Sequence, residues 1–132
     1  MYAVEVRDHI MIAHSFTGAF FGPAQAVHGA TFIIDACFFS ETLDENNVVI
    51  DIGAAHKALK SVLEPINYKN LDDVEKFSGI NTTTEFLTKY VFDELAVIAR
   101  NGGLGRASGE LSSLRITISE SHVARATYEA AL

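Results

Sequence analysis

The sequence predicts an α+β fold, in which a four-stranded antiparallel sheet carries two helices on one face. Three observations predict it. Two long segments near the N-terminus are rich in β-branched and aromatic residues. Two central segments repeat apolar residues at helical spacing. The C-terminal segment alternates apolar and polar residues, as a half-buried strand does.

Residues 2–14 read as the first strand. A loop with Gly18, Gly22 and Pro23 follows over 15–28, and a second strand is predicted over 29–41. Asp44-Glu45-Asn46-Asn47 is a turn cluster, from which Val48-Val49-Ile50 returns as a short strand of a hairpin extension. Asp51 can cap a helix from about Ile52 to Leu63, whose apolar face is Ile52, Ala55, Leu59, Val62 and Leu63. Pro65 ends it. A polar connector, 67–79, leads to Thr82-x-x-Glu85, a capping-box pattern. Phe86, Leu87, Tyr90, Val91, Leu95 and Ile98 then mark a second amphipathic helix, closed by Gly102-Gly103. In 110–119, Leu114, Ile116 and Ile118 alternate with Arg115, Thr117 and Ser119, and a last strand covers about 124–128. The order β-β-(β)-α-α-β-β gives a helix layer over a sheet. No strand leads into the glycines at 102–105 and no helix clearly follows, so they are a loop rather than a dinucleotide fingerprint.

The 132 residues fit one domain, 1–132. The net charge of −7 and the absence of a basic run argue against nucleic-acid binding. No apolar stretch reaches the roughly 18 residues of a membrane span. The N-terminus lacks a basic start and an apolar core, so it is not a signal peptide. One cysteine, Cys37, allows no internal disulfide. A cytoplasmic protein is the default expectation.

The chemistry-bearing residues gather in few places. His9 and His14 are five apart and point to opposite faces of a strand. His56 lies between Ala55 and Lys57 and reads as a surface residue. His14 ends the first strand and His28 begins the second, so antiparallel pairing brings them together as half of a metal site. A catalytic zinc site takes three protein ligands. The third would fall at position 30, which is Ala30. Glu120 continues the parity of Leu114, Ile116 and Ile118. It is either a solvated strand end or a carboxylate accepting two parallel N–H bonds from a ligand, with His122 beside it.

These pieces resemble the family of 6-pyruvoyl-tetrahydropterin synthase and the queuosine-pathway 6-carboxytetrahydropterin synthase, over nearly the whole chain. Ala13-His14 resembles the family's Ala-His at the end of the first strand, and His28-Gly29-Ala30-x-Phe32 its His-Gly-His-x-Phe/Tyr. Val49-Ile50-Asp51-Ile52 is similar to Val-x-Asp-Phe, and Asn81-Thr82-Thr83-x-Glu85 to Asn-Pro-Thr-x-Glu. Glu120 with Tyr128 is similar to the closing Glu-Thr…Tyr segment. The resemblance implies the T-fold, whose sheets join between subunits into a barrel. It also implies a homo-oligomer built on trimers, a homohexamer, with sites between subunits.

The departures shape the functional expectation. The resemblance implies a zinc site at His14, His28 and position 30, of which Ala30 cannot ligate. The family cysteine four residues before His-Gly-His is Ala24, and the Asp-His dyad is Asn67-Tyr68. By parity Cys37 faces away from His28 and does not substitute. The resemblance implies that the pterin-gripping end survives, as Glu120 with Asn81 and Thr83. Tyr68 and His122 are the candidate proton-transfer groups. Three readings follow: a divergent pterin enzyme with weak or lost synthase activity (if active, a lyase on a dihydropterin side chain), a non-catalytic pterin-binding or assembly protein, or the fold recruited to another purine-like substrate. In the last, the Phe20-Phe21-Gly22-Pro23 loop and Lys69 would shape the pocket.

Overall fold

The structure, a computed structural model, describes residues 1–132. Strands β1 (Tyr2–His14) and β2 (His28–Ser40) pair antiparallel in unbroken register, from Tyr2 opposite Ser40 to His14 opposite His28. Helix α1 (Ile52–Leu63) and a two-residue strand β3 (Lys69–Asn70) follow. Helix α2 (Thr84–Arg100) leads to β4 (Ser113–Ser121) and β5 (Ala124–Ala131). The sheet order is β3-β1-β2-β4-β5. The expected four antiparallel strands are all present, and β3 adds a fifth, parallel to β1 at Ile12 and Ala13.

One sheet face is apolar because period-2 alternation puts every second residue on it. Val6, Ile10, Ile12, Phe32, Ile34, Ala36, Phe38, Leu114, Ile116 and Ile118 are all buried there. Helix α1 lies over β1, and α2 over β4 and β5. Helix α1 starts where Asp51 accepts a hydrogen bond from the Ala54 amide, 3.1 Å, and buries Ala55, Ala58, Leu59, Val62 and Leu63. Helix α2 buries Leu87, Val91, Phe92, Leu95, Ala96 and Ala99. Beyond it the chain turns so closely that a Cβ on Gly103 would lie 2.6 Å from the Ile98 side chain.

Two expectations are corrected. Val48-Val49-Ile50 is not a strand. Val49 and Ile50 are both buried, which alternation in a half-buried strand forbids. The Val48 and Val49 carbonyls accept from the buried Arg106 guanidinium, at 3.3 and 2.7 Å, instead of from a sheet ladder. The cap of α2 is Thr83, which accepts from the Phe86 amide at 3.2 Å, not Thr82. Thr82 is buried and turned to another task.

On the other sheet face Arg7 holds Asp35 with two donors, at 2.6 and 2.9 Å. Cys37 is buried two residues further along the same face, nine residues from His28 on β2. Burial pushes its thiol above the ordinary range.

Candidate functional site

Sheet register decides what meets. The C-terminal end of β1, the N-terminal end of β2, the C-terminal end of β4 and the N-terminal end of β5 lie at one end of the sheet. His14 and His28 close the β1–β2 ladder as a direct pair. Their rings meet edge-on, with centroids 4.6 Å apart. His14 is 3% exposed, and its Nδ1 lies 3.1 Å from the Thr82 hydroxyl at the entry to α2. His28 is half-buried, and its Nδ1 donates to the Ala26 carbonyl at 2.8 Å. A carbonyl can only accept, so Nδ1 of His28 is the donor in this bond. Burial lowers the His14 pKa below the usual imidazole range, and neighbouring His28 adds to this.

An aromatic cluster seals the pair. Phe16 lies 4.6 Å from the His14 ring and 5.6 Å from the His28 ring, and Phe32 packs on His14 at 6.1 Å. Phe21 backs Phe16 at 4.7 Å from within the short helical turn Ala19–Gln25.

The remaining candidates lie around this end. Asn81 clamps the β1–β2 loop: its Oδ1 accepts from the Thr17 amide at 2.8 Å, and its Nδ2 donates to the Thr17 carbonyl at 3.0 Å. Thr83 caps α2. Asp72 accepts from the Ser15 amide and hydroxyl, at 3.1 and 2.6 Å. Asn67 accepts from the Met11 amide, and Tyr68, at φ 58, donates its own amide to the Met11 carbonyl. The Tyr68 side chain is largely exposed, beside a 340 Å³ cavity that also includes His9, Lys60 and Asn67. Glu120 lies in the register shift between Ser119 and Ser121, one step beyond the Ile33–Ser119 pair, with its side chain exposed. His122 forms the β4–β5 turn with Val123 and is also exposed. His9 and His56 are exposed and away from the pair.

The donors present do not fit a three-ligand zinc centre. Position 30 is an alanine on β2 opposite Ile12, and no third His, Cys, Asp or Glu joins the imidazole pair. Cys37 lies far up β2. Sequence reasoning missed the Thr82–His14 bond and the role of Phe16. The only signal for Phe16 is its parity with His14 two residues earlier. The largest cavity, about 730 Å³, lies at the opposite end of the sheet, around Tyr2, Val4, Leu43 and Ile52. It contains none of these residues.

Comparison with known proteins agrees with the architecture. The 6-pyruvoyl tetrahydropterin synthase family model matches residues 3–131. A 6-carboxy-5,6,7,8-tetrahydropterin synthase of Aquifex aeolicus is 26% identical over 122 residues, covering 78% of this chain and 74% of that protein. The 6-pyruvoyl tetrahydropterin synthase of Caenorhabditis elegans superposes with a TM-score of 0.80 at 24% identity, over 98% of this chain and 96% of its own. That of Plasmodium vivax gives 0.75 at 16% identity, over the full length of both chains. On the family match and the shared T-fold, the chain belongs to the 6-pyruvoyl tetrahydropterin synthase family.

Proposed function

We propose that this chain binds a pterin-like ring through Glu120 and performs little or none of the ordinary synthase reaction. The observation that carries the reading is the imidazole pair. His14 and His28 are packed together under Phe16, with Ala30 where a third ligand would stand. Ala24 supplies neither thiol nor acid as a nucleophile or base. Loss of a metal ligand and a nucleophile together removes both the polarising and the proton-abstracting group.

The ring-binding half rests on different residues. The two oxygens of the Glu120 carboxylate can accept from a ring nitrogen and an exocyclic amine at once, a strong and selective arrangement. Strands are spaced about 4.8 Å apart, so two strand intervals from β1 to β4 span roughly a bicyclic ring. The Asn81 clamp and the Thr83 cap hold the segment that borders this end. Tyr68 and His122 remain the groups for any residual proton transfer, both accessible to a ligand or a neighbouring subunit.

The assembly reading is a trimer-based homo-oligomer, a hexamer, with the ring site completed between subunits. Strand β3 covers β1 only at Ile12 and Ala13, which leaves the rest of that edge unpaired, and β5 forms the opposite edge. Open edges of this length call for pairing. Light scattering at a hexamer mass supports it, and a monomer mass rejects it.

Incubating purified protein with dihydroneopterin triphosphate tests the catalytic half. The expected result is no product above the uncatalysed rate. Rapid conversion overturns it. A non-catalytic binder and a weak enzyme then separate by turnover at high protein concentration over hours.

A further inference from the structure

The loop that closes over the imidazole pair differs from the rest of this acidic chain. From Ser15 to Ile34 there is no Asp, Glu, Lys or Arg. The same stretch supplies a continuous run of rings. Phe20, 93% exposed, meets Phe21 at 5.3 Å, Phe21 meets Phe16 at 4.7 Å, and Phe16 reaches both histidines. A wall of rings therefore runs from solvent to the buried His14. The only ionisable groups on it are two imidazoles, one held neutral-favouring by burial and the other already donating to Ala26.

We propose that this wall makes the chain selective for a flat heterocycle with an uncharged, largely apolar side chain, and against one carrying a triphosphate. The proposal rests on the ring-binding reading above. Glu120 at the end of β4 takes one edge of the ring, which turns the substituent toward the β1–β2 end and its loop. Phosphates are held by backbone amides at helix N-termini or by Arg and Lys. The wall offers no cation, and Asp72, bonded to Ser15 at its foot, repels a polyanion. Aromatic faces instead stack on a flat ring or cover an apolar substituent. The wall reaches the two imidazoles through Phe16, which contacts both rings.

The test is calorimetric titration of the intact protein with two probes sharing one ring, 6-methylpterin and neopterin triphosphate. The expected result is at least about tenfold tighter binding of 6-methylpterin, with Phe20→Ala and Phe16→Leu each weakening it about tenfold, the scale of one lost stacking contact. Phe20→Ala removes only an exposed ring and leaves folding intact, and Phe16→Leu keeps apolar volume in the cluster. Gln25→Arg, which adds a cation to the exposed loop, is expected to tighten triphosphate binding and leave 6-methylpterin unchanged. Equal or tighter binding of the triphosphate by the unaltered chain overturns the proposal and leaves the ring reading standing, as does indifference of 6-methylpterin to both phenylalanine changes. Failure of both probes to bind overturns the ring reading and the proposal with it.

Discussion

The Nδ1 nitrogen of His14 lies 3.1 Å from the Thr82 hydroxyl, joining the last residue of β1 to the entry of α2 across 68 positions. Both residues are buried, at 3% and 1% exposure. The bond fixes the imidazole at the end of the sheet and ties the helix layer to it. Thr82→Val keeps the shape and removes the partner. It should lower stability by about 1–3 kcal/mol, the cost of a buried polar group left unpaired. Urea denaturation reads it, and a loss below about 0.3 kcal/mol contradicts the assignment.

The same burial makes stability depend on pH. The folded state holds the His14 pKa below its unfolded value, so the unfolded chain takes up a proton first as pH falls. The contribution of neutral His14 is complete above the unfolded value of about 6.5 and is lost as pH drops below it toward the folded value. Urea midpoints should fall between pH 7.5 and 5.5 in the unaltered protein. His14→Gln should flatten part of that slope. An identical slope in the variant contradicts the account.

Arg106 anchors the loop that sequence reasoning took for a strand. It is 5% exposed and donates to the Val48 and Val49 carbonyls. Arg106→Met should cost about 1–3 kcal/mol, because the buried Val49 carbonyl loses its donor. It should also speed amide exchange at 48–50. Unchanged exchange there contradicts the anchoring role of Arg106 and leaves the loop to the Asp44 bonds and the packing of Val49 and Ile50.

Cys37 should be inert. It is 4% exposed, and burial pushes its thiol up, so little thiolate is present at neutral pH. A thiol reagent at pH 7.5 should label the native protein far more slowly than the urea-unfolded one. Comparable rates contradict the buried placement.

The sheet was legible because its signals are periodic. β4 alternates apolar and polar residues, β1 and β2 are rich in β-branched and aromatic residues, and both helices show the wider helical spacing, so antiparallel pairing across the loop brings His14 and His28 together. Strand parity turns Cys37 away from them. What escaped is what periodicity does not encode. Strand β3 is two residues long, too short for a period. Val48–Ile50 has strand composition, but its carbonyls at 48 and 49 accept from a side chain 57 or 58 residues away, and Val48 is also bonded to Asp44. Thr82 and Thr83 are indistinguishable as caps by type, and only the fold shows that one serves a helix and the other a histidine. Phe16 carries no motif, and its contact with both imidazoles depends on how the loop returns. Glu120 was found by its parity, yet the register shift beside it leaves the carboxylate in solvent.

The carboxylate at the end of β4 bears the central claim. Titrating unsubstituted pterin into the unaltered protein and into Glu120→Gln tests it directly. Gln keeps the size and loses the charge and one acceptor. Loss of paired charge-assisted bonds worth about 3 kcal/mol corresponds to roughly 100-fold weaker binding. Equal affinity in the two proteins contradicts the account.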